Sequence, residues 1–265
     1  MVRKIVLDTF HRSEEEAKQH SASAKGSKAD WKVFIICVLV AFCLTMNKYL
    51  GDSSFLYSLL GWMESNELRD RIFHSANGQL YTLTWWVAVL CFFYLAVPVI
   101  FIKLFFRERL RDYGLKLKGT FADYPLYLLM LLIMIPLVLY FSRSPGFQAR
   151  YPFYSLSPGE GLYPNFLIWE LLYMLQFCAL EFFFRGFMLH GTRLRFGFYS
   201  IFVMTIPYCM IHFGKPLPET IAAIIAGIAL GVLSLKSRSI LLGIAIHCSV
   251  AIAMDICALW QKGLL

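Results

Sequence analysis

The feature that most limits this chain is a set of long apolar runs with scarcely a charge in them. They are Val33–Leu50, Trp85–Phe106, Tyr124–Phe141, Asn165–Leu189, Phe198–Phe213, Thr220–Leu235 and Ile240–Trp260. Each approaches the roughly 20 apolar residues that cross a hydrocarbon layer of about 30 Å. A water-soluble core rarely needs so many. Of 265 residues, 58% are hydrophobic and 16% charged, whereas soluble domains run at about 45–50% and about 25%. In lipid, backbone N–H and C=O groups must pair within their own segment, so the runs should be helices. The alternation of a membrane barrel is absent from them. The expected fold is all-α: a polytopic transmembrane helix bundle of about seven spans. The runs Phe198–Phe213 and Thr220–Leu235 are short, and are expected to tilt or to cross only in part.

The formal charge of +8 is placed as a membrane protein places it, so no nucleic-acid partner is implied. One set of segments holds Arg3, Lys4, Arg12, Lys18, Lys25, Lys28, Lys32, Lys103, Arg107, Arg109, Arg111, Lys116, Lys118, Arg193, Arg195, Lys236 and Arg238. The alternate loops hold Lys48, Arg69, Arg71, Arg143, Arg150, Lys215 and Lys262. Seventeen against seven is a positive-inside bias that puts the N terminus in the cytoplasm and, with an odd span count, Leu265 outside. All seven cysteines fall inside the runs and read as small apolar side chains with no disulfide framework.

Residues 1–30 read as a polar, solvated cytoplasmic tail, 31–106 as N-terminal membrane helices that act as scaffold, and 107–265 as the core that carries chemistry, all in one continuous membrane domain. The outer loop Gly51–Thr84 mixes Leu56, Leu59, Leu60 and Trp62 with charges and suits a helix lying in the interface. The loop Ser142–Pro164, with its prolines, reads as irregular and external.

Ionisable groups inside spans are costly and usually face a bundle interior or a wet cavity. Here they concentrate in the C-terminal half: Glu170, Glu181 and Arg185 in the fourth run, His212 at the end of the fifth, His247 and Asp255 in the seventh. Glu181 and Arg185 stand four apart, in the favourable order for an ion pair. Glu170 precedes Glu181 by eleven residues, which returns it to within about 20° of the same helix face. Glu219 reads as a helix-end carboxylate. His11, His20 and His74 lie outside the spans and His190 at a span edge, so all four read as surface residues.

The string Glu181-Phe-Phe-Phe-Arg185-Gly186 resembles the first motif of the CPBP family, the CAAX-protease and bacteriocin-processing intramembrane endopeptidases. Tyr208, four residues before His212, resembles the second motif, and His247 the third. Arg111-Asp-Tyr-Gly-Leu115 resembles the basic segment ahead of the family core, and the likeness covers roughly Arg107 to Trp260. There are two departures. Leu180 stands where the family has a first glutamate that, with the second-motif histidine, activates the attacking water. Ala251 stands where the last motif has Asn or Asp. The resemblance therefore implies that Glu181 or Glu170 takes over the first role, with Asp255 one turn beyond Ala251.

The resulting expectation is an intramembrane endopeptidase that hydrolyses a membrane-bound protein or peptide substrate in a bacterial plasma membrane. Glu181, held as a carboxylate by Arg185, would serve as general base, while His212 and His247 would donate to the oxyanion and the leaving amine. No cofactor is expected. The alternative is Zn on the same Glu and His residues, for which the His-Glu-x-x-His pattern is missing. A catalytically inactive relative acting as a binding or immunity protein is the second reading. A proton-coupled transporter is the third, and repeated halves are not seen for it.

Overall fold

A computed structural model describes residues 2–23, 30–157 and 159–265. Lys25, Lys28 and Pro158 lie outside them. Every regular element among the described residues is helical, and no strand occurs there. The helices are α1 (Val2–Ser23), α2 (Trp31–Leu50), α3 (Ser53–Trp62), α4 (Asn66–His74), α5 (Gly78–Cys91), α6 (Val97–Ile100), α7 (Tyr124–Phe141), α8 (Pro145–Arg150), α9 (Asn165–Glu181), α10 (Gly191–Phe196), α11 (Ser200–Met210), α12 (Leu217–Ser237) and α13 (Leu241–Gln261). Among the described residues, six helical stretches are long and apolar enough to cross a membrane: Trp31–Leu50, Gly78–Phe105, Thr120–Phe141, Asn165–Met210, Leu217–Ser237 and Leu241–Gln261. The protein is a polytopic membrane helix bundle, and no disulfide joins its seven cysteines.

The chain divides into two compact units. The first comprises Met1–Ala41, Pro98–Met130 and Glu181–Ile246, and the second Phe42–Val97, Leu131–Leu180 and His247–Leu265.

In the first unit, the expected fifth span proves to be the 11-residue helix α11. Its length of about 16 Å is roughly half a hydrocarbon core. The apolar stretch breaks before it at Gly197, whose φ of 54° and ψ of −132° leave helical space. A Cβ there would stand 2.2 Å from the Glu14 carboxylate, which accepts a hydrogen bond from the Phe198 N–H at 3.0 Å. The N-terminal segment is thus a docked helix rather than a solvated tail. It buries Thr9, Ser13 and Ala17, and Phe10 meets Phe198 edge to face at 5.5 Å. Composition pointed to solvent because the inward stripe of α1 is small and polar.

α11 packs along α12, and glycines of α12 permit the approach: a Cβ at Gly231 would lie 2.9 Å from Ile201 and one at Gly227 3.1 Å from Thr205. Small residues serve this purpose in membrane helix pairs, where close backbone packing replaces hydrophobic drive.

In the second unit, the outer loop holds two helices, α3 and α4, and the span that follows begins at Gly78 rather than Trp85. Leu56 and Leu60 of α3 are buried while Trp62 is exposed, as suits a helix at a membrane surface. The loop Ser142–Pro164 is partly regular, since Ser144 caps α8 by accepting from the Phe147 N–H. Further along, Glu160 accepts from Tyr154 Oη at 2.6 Å, the Ser157 N–H at 2.9 Å and Asn165 Nδ2 at 3.1 Å. The Tyr154 hydrogen bond, first among these, holds the Glu160 carboxyl below the usual carboxylate range.

Gly197→Ala is expected to cost about 1–3 kcal/mol, because a side chain is forced into a positive-φ conformation against Glu14. Protease should then cut α1 faster than in wild type. Unchanged cleavage would show that α1 does not depend on this contact.

Candidate active site in two buried clusters

α9 ends at Glu181 and continues as a π-helix over Phe182–His190, all nine residues of which are buried. π-helical segments recur at functional sites. Glu181 has no exposed surface and Arg185 has 1%. Arg185 Nη1 donates to Glu181 Oε1 at 2.9 Å, and its guanidinium carbon lies 3.9 Å from the centroid of the Tyr208 ring. A desolvated cation over an aromatic face gains about 2 kcal/mol. The second carboxylate oxygen, Oε2, lies 3.1 Å from where a Cβ would stand at Gly243. Tyr127 of α7 is within electrostatic reach of both charges.

Tyr208 links this pair to His212. The rings of Tyr208 and His212 are 5.0 Å apart, edge to face. α11 ends at Met210, and His212 N–H turns back to Cys209 O. His212 Nδ1 meets the Tyr208 carbonyl at 2.9 Å. A carbonyl only accepts, so Nδ1 carries the proton and Nε2 is the acceptor of the neutral ring. The His212 carbonyl in turn accepts from Thr220 Oγ1 at 3.0 Å. His212 is 7% exposed. Glu219, in the first turn of α12, is paired with Lys215 at 2.6 Å, an ion pair at the mouth of the helix.

Two glycines of the motif region have steric reasons. A Cβ at Gly186 would lie 3.0 Å from the Tyr113 carbonyl, so the glycine after Arg185 lets the connector backbone pass. Tyr113 is buried, stacks on Phe187 at 6.3 Å and donates from its hydroxyl to Glu108 at 2.5 Å. Burial, then the Glu108 bond, raises the Tyr113 phenol above its ordinary range. Gly114 adopts φ 89°, and its carbonyl accepts from the Ile240 N–H at 3.1 Å.

The second unit holds a different polar group. Glu170 and Asp255 are within electrostatic reach of each other, and Trp169 Nε1 donates to Asp255 Oδ2 at 3.3 Å. Both Glu170 oxygens and Asp255 Oδ1 are buried without a hydrogen-bond partner. Asp255 and Trp169 have no exposed surface. Around them runs an aromatic series: Trp169 stacks on Tyr173 at 4.9 Å, Tyr173 meets Phe177 at 4.7 Å, and Phe177 meets His247 at 4.3 Å.

Glu181 has its ion pair with Arg185 in the first unit, and Glu170 stands within electrostatic reach of Asp255 in the second. His190, expected at the surface, is 2% exposed, with Nε2 3.0 Å from Ser234 Oγ. The π-helix extends the buried stretch to its position. Both family departures are filled by apolar packing, since Leu180 is 5% and Ala251 3% exposed and Ala251 belongs to the cluster of Trp169, Tyr173 and Phe177. Gly243, four residues before His247, escaped the sequence reading because a glycine shows no chemistry until a carboxylate is found against it. Among the described residues, no group of three or more His, Cys, Asp or Glu is arranged to hold a metal ion.

Residues 163–253 match the model of a family described as Rce1-like, type II CAAX prenyl endopeptidase Rce1-like. Over this stretch the chain is similar to the CAAX-protease family. The matched stretch includes α9, the π-helix, α11, α12 and the His247 end of α13. No curated protein and no solved structure matches the chain significantly.

Arg185→Met is expected to destabilise the protein by about 3–5 kcal/mol, since it strands a buried carboxylate. Arg185→Met with Glu181→Gln should recover most of that loss in detergent melting curves. Equal losses in the single and double variants would mean that the pair is not coupled.

Proposed function

We propose that the protein is an intramembrane endopeptidase that hydrolyses a peptide bond in a membrane-bound protein or peptide, with Glu181 as general base and His212 beside it. The observation that carries this reading is the buried Glu181–Arg185–Tyr208–His212 sequence of contacts. A cation on one oxygen keeps Glu181 a carboxylate. An imidazole whose Nδ1–H is committed to Tyr208 offers Nε2 to a water proton. His212 thus suits water activation better than donation to the oxyanion in its neutral form. The third motif falls at His247, to which we assign no step here. Leu180 in place of a first glutamate leaves Glu181 as the motif carboxylate of the catalytic step.

Glu170 and Asp255 engage each other, and we assign them no step in hydrolysis. Water activation is proposed to be metal-free. The basic-residue bias supports a cytoplasmic N terminus, and a bacterial plasma membrane is part of the proposal. Prenylation belongs to the family's description; for this chain the proposed substrate class is a membrane-emerging peptide.

Glu181→Gln should lower cleavage of a reconstituted membrane peptide by about 10²–10⁴-fold, and His212→Ala by a comparable factor. Glu170→Gln should leave it within a few-fold. Turnover by Glu181→Gln equal to wild type would remove this mechanism. Wild-type activity should also survive a strong zinc chelator, and its loss would favour the metal alternative.

A further inference from the structure

One end of the first unit gathers four cations from four separate stretches: Arg12 on α1, Lys116 in the connector before α7, Arg193 on α10 and Arg238 just past α12. They stand within electrostatic reach of one another. Arg238, Arg12 and Arg193 all act on Lys116, and Arg238 acts on Arg12 and Arg193. Burial first, and the three guanidiniums after it, pull the Lys116 ammonium below its ordinary range.

Acids close to the cluster are fewer, and most have other tasks. Glu16 pairs with Arg238, Glu14 holds the Phe198 N–H, and Asp112 pairs with Arg109 and Arg111. Two guanidiniums also serve the backbone. Arg12 Nη2 donates to Leu235 O at 2.7 Å, and Arg193 Nη1 to His190 O at 2.9 Å and Asp112 O at 3.1 Å.

What these bonds leave over points at a ligand. Arg193 Nε and Arg238 Nη1 are buried without a hydrogen-bond partner, and so is Nδ1 of His190, a side chain 98% buried within reach of Arg193, Arg238 and Lys116. Buried donors without acceptors are costly, and clustered cations repel. An anion with several oxygens relieves both.

We propose that this cluster binds a phosphate-type anion. Arg238 follows the last residue of the Leu217–Ser237 span and Lys116 lies just before the Thr120–Phe141 span, positions where a chain leaves the hydrocarbon for the headgroups, so an anionic phospholipid is the source we favour.

The test is native mass spectrometry of the full chain in mild detergent, titrated with phosphatidylglycerol or phosphatidylcholine. Phosphatidylglycerol should be retained preferentially. Lys116→Gln, which keeps the Lys116 carbonyl that Thr120 and Ser239 use, should weaken that retention about fivefold. Lys116→Glu should weaken it further, and Lys18→Gln, on the exposed side of α1, should not. A parallel arm measures melting in inorganic phosphate without lipid. Stabilisation there, with no phosphatidylglycerol preference, would identify a soluble phosphate as the ligand. Equal retention of both lipids with no phosphate effect overturns the proposal, a result that needs no variant. So does wild-type retention by a monodisperse Lys116→Glu protein.

Discussion

Arg185 is a full charge with 1% of its surface exposed, in a segment where all nine residues of the π-helix are buried. Such a group is tolerable only if its surroundings are built to receive it. Glu181 supplies the counter-charge, the Tyr208 ring a face for the guanidinium, and Gly243 the space for the carboxylate. Each of these demands a specific neighbour at close range. The glycine at 186 serves the same packing, because the connector carbonyl of Tyr113 runs against it. The arrangement in the first unit is built around one buried cation, whose Nη1 bonds Glu181 while Nε and Nη2 have no hydrogen-bond partner.

The second unit solves a similar problem with different means. Glu170 and Asp255 have no cation between them. They stand within electrostatic reach of each other, and Trp169 donates to Asp255. The Trp169–Tyr173–Phe177–His247 ring series packs around this group. General-base chemistry is assigned to Glu181, which has a cation on one oxygen, and not to Glu170.

Much of the first cluster was legible before any coordinates. Glu181 and Arg185 are four apart on a helix, and Tyr208 and His212 are four apart at the end of another, so local geometry alone brings each pair together. The π-helix keeps the first pair in contact. The link between the pairs, Arg185 on Tyr208, was not legible, because it joins residues 23 apart in sequence across two elements. The eleven-residue spacing that put Glu170 on the Glu181 face was sound as helix geometry.

The sequence by itself determined that the chain is a membrane bundle of helices, because in lipid an apolar run has one way to satisfy its backbone. It also determined which ionisable groups lie within that bundle. Only the tertiary structure decided that the fifth run is a short helix behind a break at Gly197 with Glu14 against it, that His190 is buried, and that Asp255 accepts from Trp169. The reason is range: hydropathy and periodicity act over one helix, whereas a buried polar group is satisfied by whichever distant segment reaches it.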